Sequence, residues 1–438
     1  MTARSPPMPT THDHTLPLAP EREVDGSIDE KGKLHLSEAT SSTSGWSWML
    51  EVRYQARGRW RQPGITVREN GHERFIQYLE PGQAGKRLLN LTGIDDLGAV
   101  TLSAERCRLA PQARLLGFQR PALDDGPLMI IAPHPDDAEL AAYGLYRQHA
   151  ERTWILTLTA GERHKRLDRQ YLPFLDHDLK SASRRKGWIR SWNSATTPQL
   201  AGVAQDRLYM LGYFNDTLAT LLDTPNICAP SLADDALSPA DFRRWNARPL
   251  ASDELPGGPS NRGDDLLADL IGLLDQVRPS TVVVPHPELD PHPDHQAAAA
   301  ALATALNATM HRPERVLLYA NHLKSQRGFP RGPAHAASGV WPVACSTSGL
   351  GAWSLYSQPL DLEAQREKAV AMDSMHDLRD KPGWERRLKR AVKRRLSGIQ
   401  PERWADYGQH DFFQTHIKAQ EMFALVGTEA LMEYFASH

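Results

Sequence analysis

Cysteine is scarce: the chain has three among 438 residues, Cys107, Cys228 and Cys345, far apart and with no CxxC pair. That excludes a disulfide framework and a thiolate-held zinc, and makes a reducing cytoplasm the expected compartment. Long hydrophobic runs are missing too. No stretch approaches the roughly 20 apolar residues of a membrane span, and the opening MTARSPPMPTTHDHTLPLAP lacks the basic-then-apolar order of a secretory signal. The reading is cytoplasmic, with peripheral contact at the inner face of a membrane as the one association to consider. No internal repeat is visible.

What is present suffices for a folded core. With 40% hydrophobic and 24% charged residues, a chain of this length can bury a full α/β core and still carry an extra domain. Residues 1–43 are rich in Pro, Ser, Thr and charge and have little to bury, so disorder is expected there. His12 and His14 are too sparse for a metal-binding tract. Over residues 44–117 the pattern becomes short alternating runs such as WSWMLEVRY from Trp46 to Tyr54, broken by Gly and Pro, which predicts a small β-sandwich accessory domain. Trp46, Trp48 and Trp60 could stack on sugar rings there, although tryptophans in a small β domain are more often core.

Residues 118–438 alternate strands and helices. Strands are expected at 154–158, 282–284 and 315–319 and helices at 266–277 and 296–306, the pattern of an α/β, doubly wound, mainly parallel sheet. The Pro-, Asp- and Gly-rich stretch 224–262 reads as a long insertion or lid.

Two clusters carry the chemistry. His134-Pro135-Asp136-Asp137 follows the apolar run Leu128-Met129-Ile130-Ile131-Ala132, and His292-Pro293-Asp294-His295 follows Thr281-Val282-Val283-Val284 after a short loop. In open α/β sheets the ligand crevice lies beyond the carboxyl ends of the strands, so the two can meet there. A hydrolytic divalent metal needs a few nitrogen and oxygen ligands, an open position for water and a carboxylate to take a proton; these clusters can supply all of them. Either cluster alone also reads as a polar turn or a helix start.

The clusters resemble those of the PIG-L/LmbE-like zinc de-N-acetylases, which act on N-acetylglucosaminyl lipids and related glycosides. The resemblance runs from about Leu128 to the C-terminus. It is strongest at APHPDDAEL (132–140) and continues at LTLTAGE (156–162) and at HPDH with its alanine-rich helix; 367–369, Met375-His376 and 420–423 agree more weakly. It implies a Rossmann-like deacetylase domain holding one Zn2+ per chain through His134, Asp137 and His295. It also implies Asp136 as general base and His292 as a second catalytic group, which Asp294 would orient and keep cationic. One departure stands out: some relatives carry a tyrosine two residues before His292 to bind the oxyanion, and here that residue is Asp290. An ionised carboxylate cannot take that role. Asp290 is left to bind substrate hydroxyls or to cap a turn, and His286 to touch the site or to be a structural histidine.

Arg163, in the run Arg163-His164-Lys165-Arg166 after the second strand, is a candidate grip for a substrate phosphate. Arg184, Arg185 and Lys186 start another basic stretch. Over 384–396, seven basic residues interleave with Trp384, Leu388, Val392 and Leu396 at four-residue spacing, an amphipathic helix that either meets an anionic membrane or packs its apolar stripe on the fold. No recognised nucleic-acid-binding fold accompanies it.

The expected function is zinc-dependent release of acetate from an N-acetylated amino sugar, free or lipid-linked, within a bacterial glycolipid or lipopolysaccharide-type precursor. The alternatives are an inactive glycan-binding or scaffolding protein on the same fold, and metal-dependent phosphoester hydrolysis, which would ask for a second metal.

Overall fold

The computed structural model describes residues 10–39, 43–172, 174–246, 260–323, 328–345, 347–379, 384–397 and 412–437. Two compact units emerge: Met1–Pro121 with Gln326–Arg366 and Lys381–Met422, and Ala122–Ser325 with Glu367–Asp380 and Phe423–His438. The first crossing between units falls between Pro121 and Ala122. Segments 326–366 and 381–422, however, group with the first unit and not with a continuous 118–438 domain.

In the first unit β1 (Thr10–Thr11), β2 (Arg22–Ile28), β3 (Leu34–Leu36), β4 (Trp46–Ala56), β7 (Gln83–Asn90) and β9 (Cys107–Gln119) form one sheet in the order β1-β7-β4-β9-β2-β3. A second sheet comprises β5 (Gly64–Glu69), β6 (His72–Tyr78) and β8 (Val100–Glu105). Both sheets feed one apolar core, with Trp48, Leu50 and Leu115 from the first and Ile65, Val67 and Val100 from the second. β15 (Ser354–Pro359) returns to this unit, its Ser357 backbone N–H donating to Ser47 Oγ at 2.9 Å.

The expectation of disorder over 1–43 fails for residues 10–39. Low hydrophobicity is offset there by main-chain pairing: β2 runs antiparallel to β9 and buries Val24. The Asp13 carboxylate accepts the Lys86 backbone N–H at 2.8 Å and pairs with Arg53. Composition does not register a segment whose backbone groups complete an existing sheet. Trp48 is fully buried and stacks on Trp46, and Gly117 beneath it leaves room for the ring, since a Cβ there would lie 2.4 Å from Trp48. Trp60 is exposed, so of the three tryptophans only it offers an open face.

The second unit holds a sheet whose strands run β12 (Leu208–Tyr213), β11 (Thr153–Thr159), β10 (Leu128–Ala132), β13 (Thr281–Pro285), β14 (Arg315–Tyr319) and β16 (Gln420–Gly427). The first five are mutually parallel, and β16 is antiparallel to β14. β10 and β13 are buried at every residue, as strands covered on both faces must be. Leaving β10, the chain crosses through α1 (Asp137–Gln148) to β11 on one side, whereas β13 lies on the other. The crevice beyond the β10 and β13 carboxyl ends is thus a topological switch point, where open α/β sheets place ligands.

The other helices of this unit include α2 (Leu179–Thr196), α3 (Leu218–Asp223), α4 (Ala240–Arg243), α5 (Gly263–Val277), α6 (Pro293–Ala308) and the 367–374 part of α7 (Leu362–Ser374). In the stretch expected to be an insertion or lid, most of residues 224–230 are exposed, and the chain is anchored to the fold at Phe242, Arg243 and Asn246. Phe242 is fully buried, Arg243 Nε donates to Leu211 O at 2.7 Å, and Asn246 exchanges hydrogen bonds with the Met210 backbone. α8 (Trp384–Ser397) is helical as its spacing predicted. Cys107, Cys228 and Cys345 are free thiols.

Candidate metal centre

Every side chain at the centre of this site lies on a segment beyond the carboxyl end of a parallel strand. His134 follows β10 after Pro133. Asp137 opens α1, and its carboxylate turns back to accept the His134 backbone N–H at 2.9 Å. His295 sits in the first turn of α6, which has Pro293 at its start and His292 as its cap, the ring Nδ1 accepting the Asp294 backbone N–H at 3.2 Å.

Three ligand atoms converge. His134 Nδ1 lies 3.2 Å from Asp137 Oδ2, His295 Nε2 lies 3.2 Å from the same oxygen, and the two ring nitrogens are 3.3 Å apart. A tetrahedron with bonds of about 2.0 Å has edges of about 3.3 Å, so the triangle suits an ion such as Zn2+ with a fourth position to spare. All three side chains are buried. His134, Asp137 and His295 are the residues expected as ligands, and the donor set of two imidazoles and a carboxylate fits the group.

A second layer points both imidazoles at that spot. Asp290 Oδ2 lies 2.8 Å from His295 Nδ1, and Asp294 Oδ2 lies 3.1 Å from His134 Nε2. Each histidine can therefore give its outer N–H to a carboxylate and leave its inner nitrogen free for a metal. Asn321, following β14, donates to Asp137 Oδ1 at 2.8 Å and holds the third ligand.

These contacts correct two expectations. Asp290 does not face substrate: it is fully buried, and its carboxylate also accepts the backbone N–H groups of His292, Asn321 and His322. The turn-capping alternative does fit its bond to His292. Asp294 does not orient His292 through its carboxylate, which is occupied by His134 and by the Asp216 and Leu218 backbone N–H groups. Nor is His292 cationic. Burial, with His134 and His295 alongside, pushes its pKa down to about 4. Because Nδ1 accepts from Asp294, the neutral ring carries its proton on Nε2.

The electrostatics of the centre oppose burial with paired charge. Burial would lift Asp137, yet His295 and His134 hold it well below the usual carboxylate range. Burial would likewise lower both histidines, but Asp137 and Asp294 raise His134 to about 9, and Asp137 and Asp290 raise His295 to about 10. Glu139, on α1, is pushed up to about 8 by burial, with Asp136 and Asp137 adding to the effect. Protons on such a site must leave when a metal enters.

Asp136 lies outside the triangle. Its Oδ1 accepts from Arg190 Nη2 of α2 at 2.8 Å, and the other end of that guanidinium meets Asp377. Arg163 is half-buried and paired with Asp216 at 2.9 Å. His286 is fully buried and held near pKa 3 by burial, so it is a structural histidine. Arg190, Asn321, Asp377 and His322, whose ring lies 5.7 and 5.2 Å from those of His292 and His295, were not anticipated. None carries a local sequence signal. Only the strand-end position of Asn321 and His322, just after the 315–319 run, could have drawn notice.

Residues 129–306 match a family model described as PIG-L, GlcNAc-PI de-N-acetylase. This segment holds His134, Asp136, Asp137, Asp290, His292, Asp294 and His295, whereas Asn321 and Asp377 lie beyond it. Among solved structures, the chain is similar to a deacetylase triple mutant of the teicoplanin biosynthetic pathway, at 16% identity over 69% of this chain and 98% of that one, with a TM-score of 0.37. It is also similar to GalB, the 4-carboxy-2-hydroxymuconate hydratase of Pseudomonas putida, at 14% identity, 68% and 95% coverage and a TM-score of 0.34. A third is a conserved protein of Thermus thermophilus, at 18%, 68% and 93%, and 0.32. No curated protein matches the chain. No helix among the described residues is long and apolar enough to cross a membrane.

Proposed function

We propose that the chain is a zinc-dependent amidohydrolase that removes the acetyl group from an N-acetylated amino sugar, on a bacterial glycolipid or cell-envelope precursor of the lipopolysaccharide type. The observation that carries this reading is the buried triangle of His134 Nδ1, Asp137 Oδ2 and His295 Nε2, with edges of 3.2–3.3 Å, inside a segment that matches a de-N-acetylase family.

His134, Asp137 and His295 would hold the ion. When bound, it polarises the acetamide carbonyl and makes water acidic enough to lose a proton near neutral pH. Asp136 is assigned as the base that takes this proton: Arg190 engages its Oδ1, and the proton goes to Oδ2. His292, neutral with its proton on Nε2, is assigned to donate a hydrogen bond to the oxyanion. With His292 this weak a base, the proton needed by the departing amine comes back from Asp136. Water and amide thus leave as acetate and free amine. Arg163, at the partly exposed edge, is assigned to substrate contact.

The test is acetate release from N-acetylhexosaminides and envelope glycolipids by zinc-loaded protein, with Asp136→Ala alongside. Release that the variant abolishes supports the reading. Bound zinc with no release across the panel overturns it and leaves the glycan-binding alternative.

A further inference from the structure

We propose that α8 is a docking surface for an anionic lipid bilayer. Its apolar residues Trp384, Leu388, Val392 and Leu396 are 73%, 58%, 49% and 62% exposed, so the stripe that an ordinary surface helix would bury faces outward. At about 100° per residue, the four positions span an arc of roughly 120°. Of the seven basic positions, Arg386, Arg387, Lys389, Arg390, Lys393 and Arg394 fall outside that arc, and only Arg395 falls within it. Glu385 is the single acidic residue of the helix.

Charge complementarity decides the occupant. A helix this cationic requires a partner rich in anions, which rules out a merely apolar groove. A nucleic-acid backbone would satisfy the basic face but leave Trp384, Leu388, Val392 and Leu396 in water. The surface of an anionic bilayer takes both: the apolar stripe enters the acyl boundary while the basic positions meet headgroup charge. Trp384, at the first turn, suits the headgroup level, and the long stem of Arg395 lets its charge rise out of the stripe. The inference stands on α8 alone and does not depend on the hydrolytic reading.

The experiment is co-sedimentation of the full chain with phosphatidylcholine vesicles, with and without phosphatidylglycerol, at low and high salt. Binding is expected to the anionic vesicles only, weakened by salt. Lys389→Glu with Arg395→Glu should reduce it at least about tenfold, since each charge near the surface contributes roughly fivefold. Leu388→Ser with Val392→Ser should reduce it at low salt too, which a purely electrostatic contact would not show. Unchanged thermal unfolding of both double variants establishes that the fold is intact. Equal binding to neutral vesicles, no binding to anionic ones, indifference to the serine pair, or displacement by duplex DNA as effective as by anionic lipid would overturn the proposal.

Discussion

Arg190 joins the Asp136 carboxylate to that of Asp377: Nη2 donates to Asp136 Oδ1 at 2.8 Å, and Nη1 donates to Asp377. The guanidinium fits because of Gly161, just past the end of β11. Its φ is +59°, and a Cβ there would lie 2.7–2.8 Å from Arg190 Cζ, Nε and Nη1. A planar fork between two carboxylates fixes both in direction as well as distance, which a lysine cannot do.

Arg190→Lys is therefore expected to lower kcat about 10- to 100-fold while zinc stays bound. Gly161→Ala should act in the same direction by displacing the guanidinium and straining a left-handed backbone position. Steady-state kinetics alongside metal analysis would check both, and loss of zinc in step with kcat would contradict a positioning role.

The two neighbouring carboxylates should separate by function. Asp136→Ala is expected to keep its zinc and lose turnover by about 10²- to 10⁴-fold, as for removal of a general base. Asp137→Ala should lose metal affinity as well, because its Oδ2 is one corner of the triangle. Equal metal loss in the two variants would remove the distinction.

Asp290→Asn tests the outer layer. It keeps the shape but weakens the hold on His295 Nδ1, and zinc affinity should fall about 10- to 100-fold without direct loss of a ligand. A competition titration with a chelator measures this; unchanged affinity would mean that His295 is oriented by something else.

Lys186 gives a pH signature. Burial, with Arg190 nearby, lowers its pKa from 10.5 to about 7, although Asp136, Glu162 and Asp216 pull the other way. Between those two values the unfolded chain binds the proton and the folded chain does not, so this residue makes stability rise as pH goes from about 7 to 10.5 and lowers it as pH falls back toward 7. Lys186→Met should flatten that rise in denaturant unfolding measured across the window. An unchanged slope would show that Lys186 keeps its proton in the fold.

Much of the centre could be read from local sequence because its parts are contiguous. A buried strand run followed after Pro133 by HPDD, and another followed by a loop and HPDH, placed His134, Asp137 and His295 at strand ends, and strand ends of a parallel sheet meet. The alternation that identified β11, β13 and β14 depends on burial on both faces, a property of composition and period alone. The helical spacing of 384–396 was equally local.

Only the tertiary structure decided how the remaining groups are used. Sequence adjacency suggested that Asp294 serves His292, two residues away, but the start of α6 aims the Asp294 carboxylate at His134, 160 residues distant, and gives His292 the backbone N–H instead. Arg190 reaches Asp136 across 54 residues and Asp377 across 187, and Asn321 reaches Asp137 across 184. The ordered strands within residues 10–39 depend on sheet neighbours that local composition does not reveal. Residue type, period and spacing set which groups stand at a strand end; which partner each meets is set by helix starts and chain crossings that bring distant segments into one crevice.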